Sequence, residues 1–385
     1  GLQARFQDLG ITEAEVVQAG RLPNPGFTFG RLRQGDEVEL ERGLHLNLAR
    51  LLTLPMVSQL EARRFEQVKR EVTMDVLSLA ADARKAYFQA VAAEETVRYM
   101  RQVKQTAEAS AELARRMEQV GNFNKLQRAR EQGFYADAAL NLARAEQAQR
   151  ATRERLTRLL GLWGAQAQFS LPERLPDLPK STVDLPDIER LALEQRLDVR
   201  GAKLAAEQTA KNLGLTRTTR FINVLEVGAI YNTYNDAPSQ RGYEIGFELP
   251  LFDWGDARVA KAEAIYMQAV DRAAQTAIDA RSEVREAYTG YRSAYDIARH
   301  HRDEIVPVRQ RIAEENLLRY NGMLIGVFEL LADSRAQIAS VNNYIESLRD
   351  FWMAQADLDM ALIGKPSLAR PAGPAPAAEA GGSPH

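Results

Sequence analysis

Between Met56 and Gln119 the chain contains neither proline nor glycine. From Ala257 to Tyr320 the same holds, apart from Gly290 and Pro307. Each stretch reads as one very long helix. At ~1.5 Å per residue, roughly 60 residues make a rod of roughly 90–100 Å. Average helices have ~11–12 residues, so no ordinary globular core needs such a rod. In the first stretch Val72, Val76, Leu79, Ala83, Ala86 and Ala90 step 4-3-4-3-4. In the second, Ala273, Ala277, Ala280, Val284, Ala287 and Tyr291 take the same steps. That is the 3.5-residue seam of a coiled coil, and its alanines let neighbouring backbones approach closely.

The two stretches belong to a duplication. Arg84, Ala86 and Tyr87 recur as Arg285, Ala287 and Tyr288, a shift of 201, and Gly121 recurs as Gly322 at the same shift. Leu159–Leu160–Gly161 recurs as Leu362–Ile363–Gly364, a shift of 203. A period near 200 is too long for a solenoid, so it marks two homologous halves. A return helix follows each rod; in the second half Ile338, Val341, Ile345, Leu348 and Trp352 step 3-4-3-4. Each half is therefore a helical hairpin, over 56–161 and 257–364. The turns fall at Gly121–Asn124 and Asn321–Gly326. Gly121, Gly322 and Gly326 are the expected turn residues, free to adopt positive φ.

Before each rod lies a β signal. Strands are expected at about 26–33 and 37–53 around Gln34-Gly35-Asp36, and at about 221–234 and 242–251 around Asn235–Gln240. Leu44, Leu46 and Leu48 alternate with His45, Asn47 and Ala49; Tyr243, Ile245, Phe247 and Leu249 alternate with Glu244, Gly246 and Glu248. Period-2 alternation over ~9–11 residues suits a membrane barrel strand, lipid on one face and water on the other. Tyr231 and Tyr234 would join an aromatic girdle. Four strands cannot close a barrel, and open edges cannot sit in lipid. Either the strands are water-soluble hairpins or several chains share one barrel. Pro55 and Pro250 are expected at the strand-to-helix passages, where a missing N–H is tolerated.

Composition removes other classes. Charged residues are 26% with a net charge of −2, which gives no basic face for nucleic acid. There is no cysteine, and the four histidines are His45, His300, His301 and His385. Adjacent residues on a helix point ~100° apart, so His300–His301 reads as a solvated pair rather than a ligand set. No phosphate-binding glycine loop or His-Glu-x-x-His pattern occurs, so no catalytic residue, metal site or cofactor is expected. Gly1–Gly20 reads as a helix, as at a mature or truncated N-terminus, and 367–385 as a disordered tail.

Several segments resemble the TolC-type outer-membrane efflux family. Ala19-Gly20-Arg21-Leu22-Pro23-Asn24-Pro25 is similar to its helix-to-strand passage, and Leu249-Pro250-Leu251-Phe252-Asp253-Trp254-Gly255 to its second strand-to-helix passage. Gln195-Arg196-Leu197-Asp198-Val199 resembles the family's Arg-Pro-Asp-Leu segment, with Leu197 in place of proline. Arg319-Tyr320-Asn321-Gly322 resembles its Arg-Tyr-x-x-Gly run. The likeness spans Gly20 to Gly364.

The resemblance implies a mostly α fold with a small β part. Two repeats, 1–182 and 183–366, carry duplicated long helical hairpins, the second preceded by a helix over 183–215. Four strands per chain would join a homotrimeric twelve-stranded transmembrane β-barrel, continued by a periplasmic α-barrel. Ala165–Pro186 would lie in an equatorial belt. The implied function is a non-enzymatic exit duct in the outer membrane of a Gram-negative bacterium. It would conduct passively and work with a periplasmic adaptor (membrane fusion) protein and an inner-membrane pump, in efflux or type I secretion. Read from helices alone, the alternative is a soluble coiled-coil adaptor or scaffold. The family's periplasmic entrance is ringed by acids, which points to Glu329 and Asp333, four apart on one helix face. Lys125, Arg128 and Arg130 are the candidate basic partners on a neighbouring hairpin.

Overall fold

A computed structural model describes residues 2–219, 225–247, 252 and 254–365. Within these, Leu2, Gln34, Phe247, Val327, Phe328, Glu329 and Leu331 are described by backbone only. Pro250 and the tail expected at 367–385 lie outside the described residues. By internal packing the chain divides into two units, Gly1–Leu77 with Glu189–Ser282, and Ser78–Ile188 with Glu283–His385.

The first unit holds the sheet. Helix α1 (Leu2–Ala19) leads into β1 (Gly26–Gln34) and β2 (Glu37–Asn47). Strands β3 (Leu225–Tyr234) and β4 (Gln240–Phe247) follow much later in the chain. They form one antiparallel sheet in the order β1-β2-β3-β4. Gly35, at φ 62°, makes the two-residue β1–β2 turn in the left-handed region that glycine enters freely. Asn235 ties the two hairpins together. Its Oδ1 accepts from the Val38 N–H at 2.9 Å, and its Nδ2 donates to the Asp36 carbonyl at 2.9 Å.

Helix α2 (Leu48–Gln119) starts earlier than expected. The strand expected to reach residue 53 ends at Asn47, whose Oδ1 accepts from the Arg50 N–H at 2.8 Å. That bond caps the helix, and Leu48-Ala49-Arg50-Leu51-Leu52 are strong helix formers. Pro55 is consequently not at the passage but inside α2, in its second turn. The helix expected over 183–215 is two: α4 (Ile188–Gln195) and α5 (Leu197–Thr219). Arg196 sits at the break, fully buried, with a two-toothed fork on Asp198 at 2.6 and 3.0 Å. Leu197 opens α5, the first-turn position where the proline it replaces would also fit.

The second unit is built from α2 beyond Leu77, α3 (Lys125–Leu160), the part of α6 (Asp256–His300) beyond Ser282, α7 (Val306–Asn321) and α8 (Val327–Ile363). Its core follows the seams: Ala86, Ala90, Val284, Tyr291, Ile345 and Leu348 are buried. Phe351 is fully enclosed, against Tyr291 and Tyr295 at 5.5 and 5.8 Å between ring centres. The irregular segment 168–187 is strapped to these helices by side chains. Trp352 Nε1 donates to the Pro176 carbonyl at 2.9 Å, and the Tyr295 hydroxyl to that of Lys180 at 2.9 Å.

The second rod is interrupted where the first is not. Residues His301–Ile305 form one π-turn, with the Val306 N–H reaching the His301 carbonyl five residues back. Pro307 follows; it has no N–H, and its ring crowds the carbonyl four residues earlier. The expected solvated histidine pair straddles this turn. His300 is exposed, whereas His301 is half-buried and its burial, then the His300 charge, lower its pKa.

Candidate channel elements: the sheet and the hairpin ends

Strand register sorts the side chains onto two faces. One face carries Phe27, Leu44, Ala229 and Tyr243 in a row across the sheet, then Leu46, Val227 and Ile245 in the next. Phe27, Phe29, Leu44, Tyr243 and Ile245 are all more than half exposed to solvent in the single chain. The other face carries Thr28, Glu39, Glu41, His45, Glu226, Asn232 and Glu244. Ile230 is its one apolar intrusion in β3, set between Gly43 and Gly242. Tyr231 belongs to the apolar face, as expected of a girdle. Tyr234 does not: it stands opposite Glu39 on the polar face and donates to Oε1 at 2.7 Å. Positions three apart on a strand face opposite sides, so the two tyrosines could not share a girdle.

His45 packs into a slot made by two glycines. A Cβ on Gly43 would come within 2.9 Å of its Nε2, and one on Gly228 within 2.8 Å of its Nδ1. Thr28 Oγ1 lies 3.0 Å from Nε2 and fixes the ring.

Strands β1 and β4 leave two open edges. Among the described residues no helix is long and apolar enough to cross a membrane. An apolar face of this extent and two unpaired edges are compatible with lipid only if further strands close the sheet.

At the hairpin ends the two halves use one design. In the first, N–H groups of Val120, Gly121 and Asn122 bond the carbonyls of Arg116, Glu118 and Met117. In the second, Gly322, Met323 and Leu324 bond Leu318, Tyr320 and Arg319 in the same spans. The structural shift is thus 202, not the 201 suggested by matching Gly121 with Gly322. The π-turn upstream supplies the extra residue. The expectation for the glycines is corrected accordingly. Gly121 has φ 82°, but Gly322 (φ −80°) and Gly326 (φ −84°) do not, and the left-handed residue is Met323 at φ 58°.

This makes a test. Gly121→Ala is expected to destabilise by roughly 1–2 kcal/mol, the cost of a left-handed side-chain-bearing residue. At Gly322 a Cβ would meet nothing closer than 3.5 Å. Gly322→Ala is expected to be neutral or to stabilise by about 0.4–1 kcal/mol through the unfolded chain. Thermal midpoints of the two purified variants decide it; equal losses would contradict the assigned turn.

After the first turn Asn124 caps α3 in a reciprocal pair with Gln127, each bond 2.8 Å. Arg128 is held within its own hairpin, its Nη1 at 2.7 Å from Glu118. Arg130 also has an interaction of its own, and Lys125 is exposed. Asp333 accepts a hydrogen bond from buried Asn316, tying α8 to α7. The Glu329 side chain lies outside the described residues.

One cluster was not expected from sequence. Glu131 on α3 is 1% exposed and accepts from Ser110 Oγ of α2 at 2.9 Å and Arg335 Nη2 of α8 at 3.3 Å. The Arg335 guanidinium also lies over the Phe134 ring, 4.3 Å from its centre. It joins the two hairpins. A hint existed: Glu131 is seven residues before buried Ala138, at the same seam position.

Long duplicated hairpins plus a four-stranded sheet with an apolar and a carboxylate-bearing face define the outer-membrane channel-tunnel fold. The chain shares that fold with the TolC-type channels its sequence resembles. It is similar to CusC, at TM-score 0.77 and 17% identity over 94% of this chain and 89% of that one. It is similar to the Campylobacter jejuni CmeC outer-membrane channel, at 0.80 and 16% over 94% and 82%. The open state of the Neisseria gonorrhoeae MtrE outer-membrane channel matches at 0.79 and 18% over 94% and 86%. No protein-family model and no curated protein matches the sequence.

Proposed function

We propose that the chain is one subunit of a homotrimeric outer-membrane duct, the exit of a tripartite efflux or type I secretion system. The single observation that carries this reading is the sheet. Its apolar face and two open edges need lipid and further strands, and three copies supply twelve strands. A soluble hairpin protein has no use for Phe27, Phe29, Leu44, Tyr243 and Ile245 exposed on one face. The helical hairpins would extend the duct through the periplasm toward an adaptor and an inner-membrane pump. Transport is passive conduction, without catalysis.

The entrance is assigned to the α7–α8 end. Glu329 and Asp333 from three copies would favour cations and repel anions there. That a related channel exists in an open state supports a gate. Asp333, bonded to Asn316, and Arg128, bonded to Glu118, are each committed inside one hairpin. Opening that keeps these bonds leaves the two helices of each hairpin end together, while Arg335–Glu131 ties the two hairpins of one chain to each other. The test is single-channel conductance of the detergent-purified protein in a planar bilayer, with its oligomer mass. Discrete steps from a trimer are expected, with altered conductance or cation preference in Glu329→Lys and Asp333→Lys. A monomer giving no steps would sink the duct; unchanged traces in the variants would remove these acids from the gate.

A further inference from the structure

The register that divides apolar from polar side chains also divides the charges. Glu37, Glu39, Glu41, Glu226 and Glu244 stand on the polar face, with no lysine or arginine among them. Arg31, Arg33, Arg42 and Arg241 stand on the apolar face, with no carboxylate among them. Arg31, Arg33 and Arg241 lie beside the hairpin turns, and Arg42 stands at the middle of β2, opposite Phe29 of β1. Arg42 and Arg241 are the direct cross-strand partners of Tyr231, with guanidinium carbons 5.9 and 5.6 Å from its ring centre. The rows of Phe27, Leu44 and Tyr243, and then of Leu46 and Ile245, begin on the side away from the turns.

Among the described residues none of these arginines pairs with an acid; Arg33 Nε donates to the Gly35 carbonyl at 3.0 Å. An arginine on a lipid-facing strand costs about 2–4 kcal/mol at the midplane and about 0–1 near the interface, so this row marks an interface. A guanidinium without a carboxylate keeps its planar fork of donors, which matches phosphate. The Cα atoms of Arg42 and Arg241 are two strand spacings apart, about 10 Å, which puts both forks within reach of one phosphate.

We propose that the Arg42–Tyr231–Arg241 row, backed by Arg31 and Arg33, binds phosphate-bearing lipid headgroups in the leaflet on the hairpin-turn side. The proposal rests on the reading of the sheet as lipid-facing. Native mass spectrometry of the full chain in non-ionic detergent tests it, with a diphosphorylated glycolipid and its phosphatase-treated form as probes. The phosphorylated lipid should be retained about tenfold better, as charge-assisted paired hydrogen bonds would give. The preference should vanish in Arg42→Gln/Arg241→Gln, which should still make conducting steps in a neutral phosphatidylcholine bilayer. Should that pair fail to assemble, Arg241→Gln alone, on the edge strand, serves the same comparison and should weaken the preference. Equal retention of the two lipids by a conducting wild type would overturn the site and leave the duct standing. So would an unchanged preference in the variant, or full displacement by inorganic phosphate, which would mark a free-anion site. A wild type without conducting steps would overturn both readings.

Discussion

Val227→Arg is expected to abolish channel formation while Ile230→Thr leaves it intact. Val227 lies between Leu46 and Ile245 on the apolar face, two rows from Arg42, Tyr231 and Arg241. An arginine there costs about 2–4 kcal/mol in each chain, and every subunit of an oligomeric barrel carries the cost. Ile230 is three residues on and faces the opposite way, between Gly43 and Gly242. A polar residue suits that side. The readout is the frequency of conducting insertions in planar bilayers, with trimer yield in detergent as the control. Equal loss in both variants would mean that the two faces do not meet different solvents.

The second large effect concerns the cluster between the hairpins. Arg335→Met leaves the Glu131 carboxylate, 1% exposed, with Ser110 as its remaining donor among the described residues. Breaking a buried pair from one side costs about 3–5 kcal/mol. The Arg335 side chain is 40% exposed, so water screens part of the pair and about 3 kcal/mol is expected. Glu131→Leu combined with Arg335→Met should recover most of that loss, because no buried charge is then stranded. Denaturant midpoints of the single and double variants measure the coupling. Additive losses would show that the two side chains do not support each other.

Local patterns made much of this fold legible. The breaker-free rods, the matched seams and the period-2 strands each depend on neighbours within a few turns. What escaped depends on atoms brought from afar or on a single bond. The start of α2 was misplaced because one Asn47 side chain caps a helix inside an apolar run that also alternates. Tyr234 was misassigned because its face is set by counting from Tyr231, not by proximity to the strand end. Met323 was missed because a glycine one position earlier drew the left-handed assignment, and the residue that shifts the count sits at the π-turn. Glu131 stood visibly on a seam, but its partner is 204 residues away. For the entrance, spacing placed Glu329 and Asp333 on one helix face; the Asn316 bond that commits Asp333 to its own hairpin crosses a turn that spacing does not describe.

A continuous helix has no slack: one residue added turns everything beyond it by about 100°. The second copy carries such a residue and still finishes in the first copy's turn, because the wide turn at 301–305 absorbs it. Two descendants of one hairpin have therefore kept a common outline: beyond the wide turn the second copy is back in phase, each backbone position matched by the one 202 further on. A partner gripping both ends would meet the same backbone turn twice.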